Sequence, residues 1–88
     1  MTILERILLE FPDEEILKAD GFDEAVVGYE IISMRLIYDY NKMVEILVRD
    51  GMEEIDAVEY LDYNVLGAYV GEKTPIVMQS EPYDLSID

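Results

Sequence analysis

The first hydrophobic pattern along the chain has the period of a helix. Apolar residues recur at three- and four-residue steps at Ile3, Leu4, Ile7, Leu8 and Phe11. Thr2 and Glu5 have the spacing of a capping box, in which each side chain accepts a hydrogen bond from the other residue's backbone N–H. The pattern predicts a helix from Thr2 to about Glu10. Pro12 then suits the first position of a second, short helix that Asp20-Gly21 would close.

The next apolar stretches have the composition of strands. Ala25–Ile31 and Met34–Tyr38 are rich in Val, Ile and Tyr, and a break near Ile32-Ser33 separates them. We therefore expect an antiparallel hairpin. Alternation of apolar and polar residues in the second stretch indicates one face covered by helices and one face partly wet. Gly28 is expected to mark a β-bulge or a close packing contact.

Two helical patterns then follow in direct succession. Asp39 is a suitable N-cap for a helix over Tyr40–Asp50, which Gly51 ends. A longer helix is predicted over Glu54–Val70, so the pair would form an αα-hairpin. Its expected buried face holds Ile55, Val58, Leu61, Val65 and Tyr69. Gly71 would supply the left-handed backbone at the exit of this helix, which residues with a Cβ adopt only at a cost.

A short third strand completes the predicted fold. Pro75 blocks a return to helix, and Ile76–Met78 is apolar enough to form a strand. We therefore expect residues 1–80 to form a single α+β domain, in which helices pack on one face of a three-stranded antiparallel sheet. Residues 81–88 are acidic and unpatterned, and we expect them to be disordered.

The chain is strongly acidic. It has 21 Asp and Glu against six Lys and Arg, a net charge of −15 and an isoelectric point near 4.1. Such a surface repels nucleic acid and anionic membranes and attracts basic proteins. Solubility is the alternative explanation, although a net charge of magnitude about 2–8 is enough for the solubility of a small domain. We expect a basic protein as partner, without direct binding of nucleic acid or membrane.

The composition gives little support to catalysis or to a bound metal or cofactor. Cysteine and histidine are absent, which removes thiolate ligands, the commonest zinc ligand and the commonest general base. Gly67–Thr74 lacks the Gly-Lys-Thr run of a phosphate-binding loop. The loop around Asp20–Glu24 lacks ligands at the spacing of a calcium-binding EF-hand. We therefore expect no enzymatic activity, no metal site and no cofactor.

The polar face of the longer helix is the candidate interaction surface. Tyr60 and Tyr63 lie on this face beside Asp56 and Glu59. Tyrosine is enriched at protein interfaces because its ring is apolar and its tip is polar. The full set of candidate contacts is Glu53, Glu54, Asp56, Glu59, Tyr60, Asp62 and Tyr63. Coverage of the two rings by a neighbouring helix is the alternative interpretation.

Several segments together resemble a family of small, largely uncharacterised acidic proteins encoded by tailed phages and prophages. The segments are Ala19–Ala25 (ADGFDEA), Tyr38–Tyr40, Glu45–Leu47, Arg49–Met52 (RDGM) and Asn64–Ile76 (NVLGAYVGEKTPI). The resemblance implies a phage origin, and it carries over no active-site or binding residues. By analogy of class, it implies an antagonist of a host enzyme, as anti-CRISPR proteins and DNA mimics are.

We therefore expect a phage-encoded, non-enzymatic inhibitor that acts in the cytoplasm of the host cell. Its carboxylates would take the place of phosphates on a basic surface of a host nucleic-acid-handling or defence protein. No apolar run approaches the roughly 20 residues of a membrane-spanning helix, which indicates a soluble protein. The alternative is a small phage accessory or assembly protein that acts through an oligomer interface, for example as a homodimer, with an incidental acidic charge.

Overall fold

The computed structural model describes residues 1–65, 67 and 70–82. In this part of the chain the helices are α1 (Ile3–Glu10), α2 (Tyr40–Arg49) and α3 (Glu54–Asn64). The strands are β1 (Val26–Glu30), β2 (Arg35–Asp39) and β3 (Ile76–Met78), and a 3₁₀ turn over Asp23–Ala25 precedes β1. The predicted α+β class and the three-stranded sheet are therefore confirmed.

The sheet has the order β1-β2-β3, with β2 as its central strand. β1 and β2 pair antiparallel, as the hairpin prediction requires, and their register shifts between Val26 and Gly28. The expected bulge at Gly28 is thus confirmed. β3 pairs with β2 in parallel, and Ile76 lies opposite Ile37.

The prediction of an entirely antiparallel sheet is wrong for β3, because the direction of a strand depends on the connection that leads to it. Residues 40–75 connect β2 to β3 and contain two helices. A connection of this length lets the chain return to the starting end of the neighbouring strand, as parallel pairing requires. The sheet is therefore mixed.

The core lies on one face of the sheet. In β2, Leu36 and Tyr38 are completely buried, whereas the alternate residues Arg35, Ile37 and Asp39 are partly exposed. The helices contribute the buried residues Leu4 and Ile7 of α1, Tyr40, Met43, Val44 and Ile46 of α2, and Ala57 and Leu61 of α3. This arrangement confirms that the helices pack on one face of the sheet.

Local signals define α1 but not the segment after it. The predicted capping box is present at the start of α1, with both reciprocal hydrogen bonds formed. The predicted helix after Pro12 is wrong, because residues 12–22 contain only turns and irregular backbone. The Tyr38 hydroxyl accepts a hydrogen bond from the Ala19 backbone N–H at 2.8 Å, and Phe22 is buried. These tertiary contacts outweigh the weak local preference for so short a helix.

The third helix is shorter than predicted, since it ends at Asn64 rather than Val70. The Asn64 side-chain amide donates a hydrogen bond to the Tyr60 carbonyl oxygen at 3.1 Å. A side chain bonded to its own helix backbone in this way competes with the regular ladder. Gly71 has the expected positive φ, 114°. Gly71 is the first residue of a turn and does not end the helix, because the Thr74 backbone N–H donates to the Gly71 carbonyl at 3.1 Å.

The buried face of α3 also differs from the prediction. Ala57 and Leu61 are completely buried, whereas Ile55, which was expected in the core, is 59% exposed. Ala57 and Leu61 are four residues apart and therefore lie on one side of the helix. The small Ala57 side chain suits a close approach to α2, which α3 contacts. Tyr69 of the predicted face and residues 83–88 of the predicted disordered tail lie outside the described residues.

Candidate functional site

The seven candidate contacts form a surface along α3 that we call the α3 surface. It consists of Glu53, Glu54, Asp56, Glu59, Tyr60, Asp62 and Tyr63. Glu53 is the N-cap of α3, and the other six residues belong to the helix. Six of the seven are exposed, and only Glu54 is partly buried. The structure therefore brings the predicted residues together on one accessible helix.

Tyr63 lies at the centre of the outward side of α3. At about 100° per residue, Tyr63 points roughly opposite to the buried Leu61, with Asp56 and Glu59 on either side of it. Its side chain is 90% exposed. Burial of its ring by a neighbouring helix is thus excluded for the part of the chain that the structure describes.

Tyr60 occupies a different position, at the edge of the α3 surface. It is 41% exposed and lines a cavity of about 240 Å³ together with Phe22, Val65 and Pro75. The alternative interpretation, that neighbouring residues cover the ring, therefore holds for part of the Tyr60 ring. Tyr60 joins the α3 surface to the body of the domain, and Tyr63 projects from it.

The carboxylates of the α3 surface have no partners within the described residues. None of the five takes part in an ion pair or a side-chain hydrogen bond there. No Lys or Arg occurs in the sequence between Arg49 and Lys73. Arg49 pairs with Glu24 at 3.1 Å, and the hydrogen bond and charge of Glu24 raise the pKa of the guanidinium. The Lys73 ammonium donates to the Ser33 carbonyl at 2.6 Å, so both flanking cations bond elsewhere.

The acidic residues of α3 contribute unequally to the stability of the helix. Glu53 forms no side-chain hydrogen bond as N-cap, whereas Glu54 and Asp56 lie in the first turn, where the macrodipole favours negative charge. Asp56 and Glu59, and then Glu59 and Asp62, are like charges three residues apart, which disfavours a helix. Asp62 also lies in the half of the helix where the macrodipole disfavours negative charge. Helix stability therefore does not explain the positions of Glu59 and Asp62.

Ile55 belongs to the same exposed side of α3, and the sequence analysis missed it. It was placed in the core because it continues the three- and four-residue spacing of Val58 and Leu61. Ile55 is in fact 59% exposed, and it places an apolar side chain next to Glu59 and Asp62. Sequence analysis did not count Ala57 as a core position. Its spacing of four residues from Leu61 was the signal in the sequence that could have shown which face of α3 is buried.

The described residues contain no group of three or more acidic side chains arranged to hold a metal ion. No helix among them is both long enough and apolar enough to cross a membrane. What α3 offers to a partner is unpaired negative charge with aromatic and aliphatic groups between the charges.

The comparisons with known proteins identified no relative: neither family models, nor curated proteins, nor solved structures match this chain. The resemblance to small phage proteins therefore stays a prediction, and the case for function depends on the chemistry of the surface.

Proposed function

We propose that this chain is a phage-encoded, non-enzymatic inhibitor that binds a basic surface of a host nucleic-acid-handling or defence protein, such as a CRISPR effector. One observation carries the proposal: Tyr63 is 90% exposed between Asp56 and Glu59, two carboxylates without partners in the described chain. This combination places an aromatic ring and two unpaired charges where a partner can reach them.

The α3 carboxylates would act in place of phosphates. Side chains three or four residues apart on a helix have Cβ atoms about 5–6 Å apart, so Asp56, Glu59 and Asp62 form a row of negative charges. Arg side chains bind carboxylates and phosphates through the same paired N–H donors. A groove lined by Arg and Lys for a nucleic-acid backbone therefore has the donors that this row requires.

The aromatic and aliphatic side chains would supply affinity that charge alone does not. Exposed charge pairs contribute more to the rate of association than to affinity. Buried tyrosines are enriched among the few residues that contribute most to binding at protein interfaces. Tyr63 is pre-positioned on a helix, so little rotational freedom is lost when a partner covers it.

A capture experiment tests this proposal. Immobilised protein is exposed to host lysate, and bound proteins are released by a NaCl gradient or by a competing oligonucleotide and then identified. We expect a nucleic-acid-binding protein that rising salt and the oligonucleotide both release, because both act on the same basic surface.

Charge-matched variants show whether α3 is the surface responsible. The double variant Asp56→Asn/Glu59→Gln should lose most of the capture. Glu14→Gln/Glu15→Gln removes the same charge from exposed positions in the loop after α1 and should retain it. Equal losses of capture in the two variants would show that the interaction is non-specific attraction by net charge. Full capture by both variants would exclude the α3 surface as the binding site.

The second candidate function is that of a phage accessory or assembly protein that works through an oligomer interface. The observation that favours it lies on the hairpin turn between β1 and β2, where Ile31 is 75% exposed and Ile32 is 89% exposed. An assembly protein of this kind would act through this turn and not through α3, so Asp56→Asn/Glu59→Gln would leave its activity unchanged.

A further inference from the structure

The face of the sheet opposite the core carries a second candidate surface, which we call the outer sheet face. Ile37 of β2 and Ile76 of β3 are paired neighbours on it. Met78 lies on the same side, because successive residues of a strand point to opposite faces and Val77 between them packs against the core. Ile37, Ile76 and Met78 are only partly buried.

The composition of β3 is that of a strand buried on both faces. All three of its residues, Ile76–Met78, are apolar, and the strand pairs in parallel with β2. Parallel strands occur mostly in sheets covered on both sides, and they read as continuous apolar runs rather than alternating ones. The described part of the chain places helices on one side only, so the composition of β3 indicates a further cover.

The hairpin turn at the end of β1 and β2 carries two exposed isoleucines, Ile31 and Ile32. Turns usually carry Gly, Asn, Asp or Pro, so two adjacent β-branched apolar residues are unusual there. Met34 closes the turn with a φ of 59°, a left-handed conformation that is uncommon for a residue other than glycine. The turn thus departs from ordinary turn chemistry in both its composition and its backbone.

The turn is nevertheless held in one conformation. The Glu30 carboxylate accepts hydrogen bonds from the Ile32 backbone N–H at 3.1 Å and from the Ser33 backbone N–H and hydroxyl at 2.7 Å each. The Lys73 ammonium donates to the Ser33 carbonyl at 2.6 Å. A turn fixed in this way presents its isoleucines with little ordering left for binding to impose.

The outer sheet face is electrically balanced in a strongly acidic protein. The charged residues of β1 and β2 that alternate with the core positions are Glu30, Arg35 and Asp39. Glu30 and Arg35 are directly opposite each other across the two strands, and the Lys73 ammonium bonds to the hairpin turn that joins them. These four residues together carry no net charge, in a chain whose net charge is −15.

We propose that the outer sheet face binds a second copy of this chain, so that two sheets stack face to face and the isoleucines of each hairpin turn contact the other copy. A two-fold contact pairs a surface with itself, so a surface with charges of one sign repels its own copy. The balanced outer sheet face avoids this repulsion, whereas two α3 surfaces repel each other. Stacked sheets pack about 10 Å apart through their apolar side chains, which would cover Ile37, Ile76 and Met78. This leaves the α3 surface free for the partner proposed above.

Sedimentation velocity of the full chain at several concentrations, in 0.05 M and 0.5 M NaCl, tests the proposal. We expect a reversible dimer whose dissociation constant falls as salt rises, because salt screens the repulsion between two copies of charge −15 and leaves the apolar contact intact. A monomer at every concentration and salt would overturn the proposal. A dimer that salt dissociates would overturn it too, since its interface would depend on charge.

Three matched variants locate the contact. Ile32→Asp places a charge at the turn and should raise the dissociation constant at least about tenfold, because a charge buried without a partner disfavours association. Ile37→Glu does the same at the centre of the face. Ile55→Asp adds the same charge at an exposed isoleucine of α3 and should leave the dimer within about twofold of wild type. The melting temperature shows whether each variant folds. If Ile37→Glu does not fold, Ile32→Asp alone decides the result. Dimers that persist in Ile32→Asp, or that are lost in Ile55→Asp, would overturn the assignment.

Discussion

The two helices of the αα-hairpin, α2 and α3, follow each other in the chain but differ in what their residues do. In α2, the Asp39 side chain accepts a hydrogen bond from the Asn41 backbone N–H at 2.9 Å and so caps the first turn. Arg49 lies in the last turn, where a cation interacts favourably with the helix dipole. It also pairs with Glu24 at 3.1 Å. Four residues of α2, Tyr40, Met43, Val44 and Ile46, are buried. The N-cap, the last turn and the buried face of α2 therefore all contribute to stability.

In α3 the same positions lack these features. The N-cap Glu53 makes no side-chain hydrogen bond, the last turn has no cation, and only Ala57 and Leu61 are buried. The outward residues instead combine unpaired carboxylates with exposed Tyr63 and Ile55. α2 is thus held by its cap, its last turn and a broad buried face, while α3 is anchored by one narrow stripe and leaves most of its other side chains exposed.

The largest effect should come from the core side chains that the two helices share. Met43→Ala in α2 and Leu61→Ala in α3 each remove a completely buried side chain, and each should lower the free energy of unfolding by about 2–5 kcal/mol. Urea denaturation measures this. Tyr63→Ala on the same helix, 90% exposed, serves as control and should change stability by less than about 0.5 kcal/mol. A small loss in Leu61→Ala would show that α3 is not anchored in this way.

The second-largest effect should come from the N-caps, whose loss should lower the stability of one helix and not of the other. Asp39→Ala removes the cap of α2 and should cost about 1 kcal/mol, because the Asn41 N–H loses its acceptor. Glu53→Ala at the equivalent position of α3 removes no hydrogen bond and should have almost no effect. Thermal unfolding of the two variants side by side measures the contrast. Equal losses at the two positions would contradict the difference described above.

The Glu30 carboxylate offers a test by pH, because it has the partners that the α3 carboxylates lack. Hydrogen bonds from the Ser33 hydroxyl and backbone, and then from the Ile32 backbone, lower the pKa of Glu30 below its ordinary value of 4.5. A folded-state pKa below the unfolded one adds stability above the unfolded pKa, and this is lost as pH falls through the folded value. The stability difference between wild type and Glu30→Gln should therefore be constant near pH 7 and shrink below about pH 4.5. A difference independent of pH would mean that ionised Glu30 does not hold the turn.

The smallest effect is expected from neutralising α3, and it has the opposite sign. Glu59→Gln/Asp62→Asn removes two like-charge contacts three residues apart, Asp56 with Glu59 and Glu59 with Asp62, and each such contact disfavours a helix by about 0.2–0.5 kcal/mol. Asp56, which the helix dipole favours in the first turn, stays in place. The variant should therefore unfold at a slightly higher urea concentration than wild type, and the gain should shrink in 0.5 M NaCl. Glu14→Gln/Glu15→Gln is the matched control outside a helix. A clear loss of stability would show that these carboxylates support the fold.

The elements that the sequence predicts well are those whose signals are local. The reciprocal bonds of Thr2 and Glu5 define the start of α1. The Asp39 cap and the glycine at Gly51, which has a φ of 116°, bound α2 closely. The hairpin and its bulge at Gly28 follow from β-branched composition and one glycine. In each case the decisive contacts lie within a few residues of chain, so periodicity and residue type are sufficient.

The candidate site could be predicted as a set of residues but not as a geometry. The spacing of Tyr60 and Tyr63 among acids marked the polar face of α3 correctly. It did not distinguish a half-covered Tyr60 from a projecting Tyr63, and it assigned Ile55 to the core. The rotation of a helix about its axis depends on what it packs against. For α3 that neighbour is α2, and the side of α3 that is buried carries Ala57 and Leu61.

By itself, then, the sequence determined the class of the fold, most elements of the first fifty residues, the strong negative charge and the residues of the α3 surface. The tertiary structure decided the parallel direction of β3 and the irregular path of residues 12–22. These depend on contacts between distant residues, such as Ala19 with Tyr38 and the Arg35 guanidinium with the Thr74 carbonyl. A pattern of nearby residues cannot specify such contacts, because their energy exists only after the chain has brought the partners together.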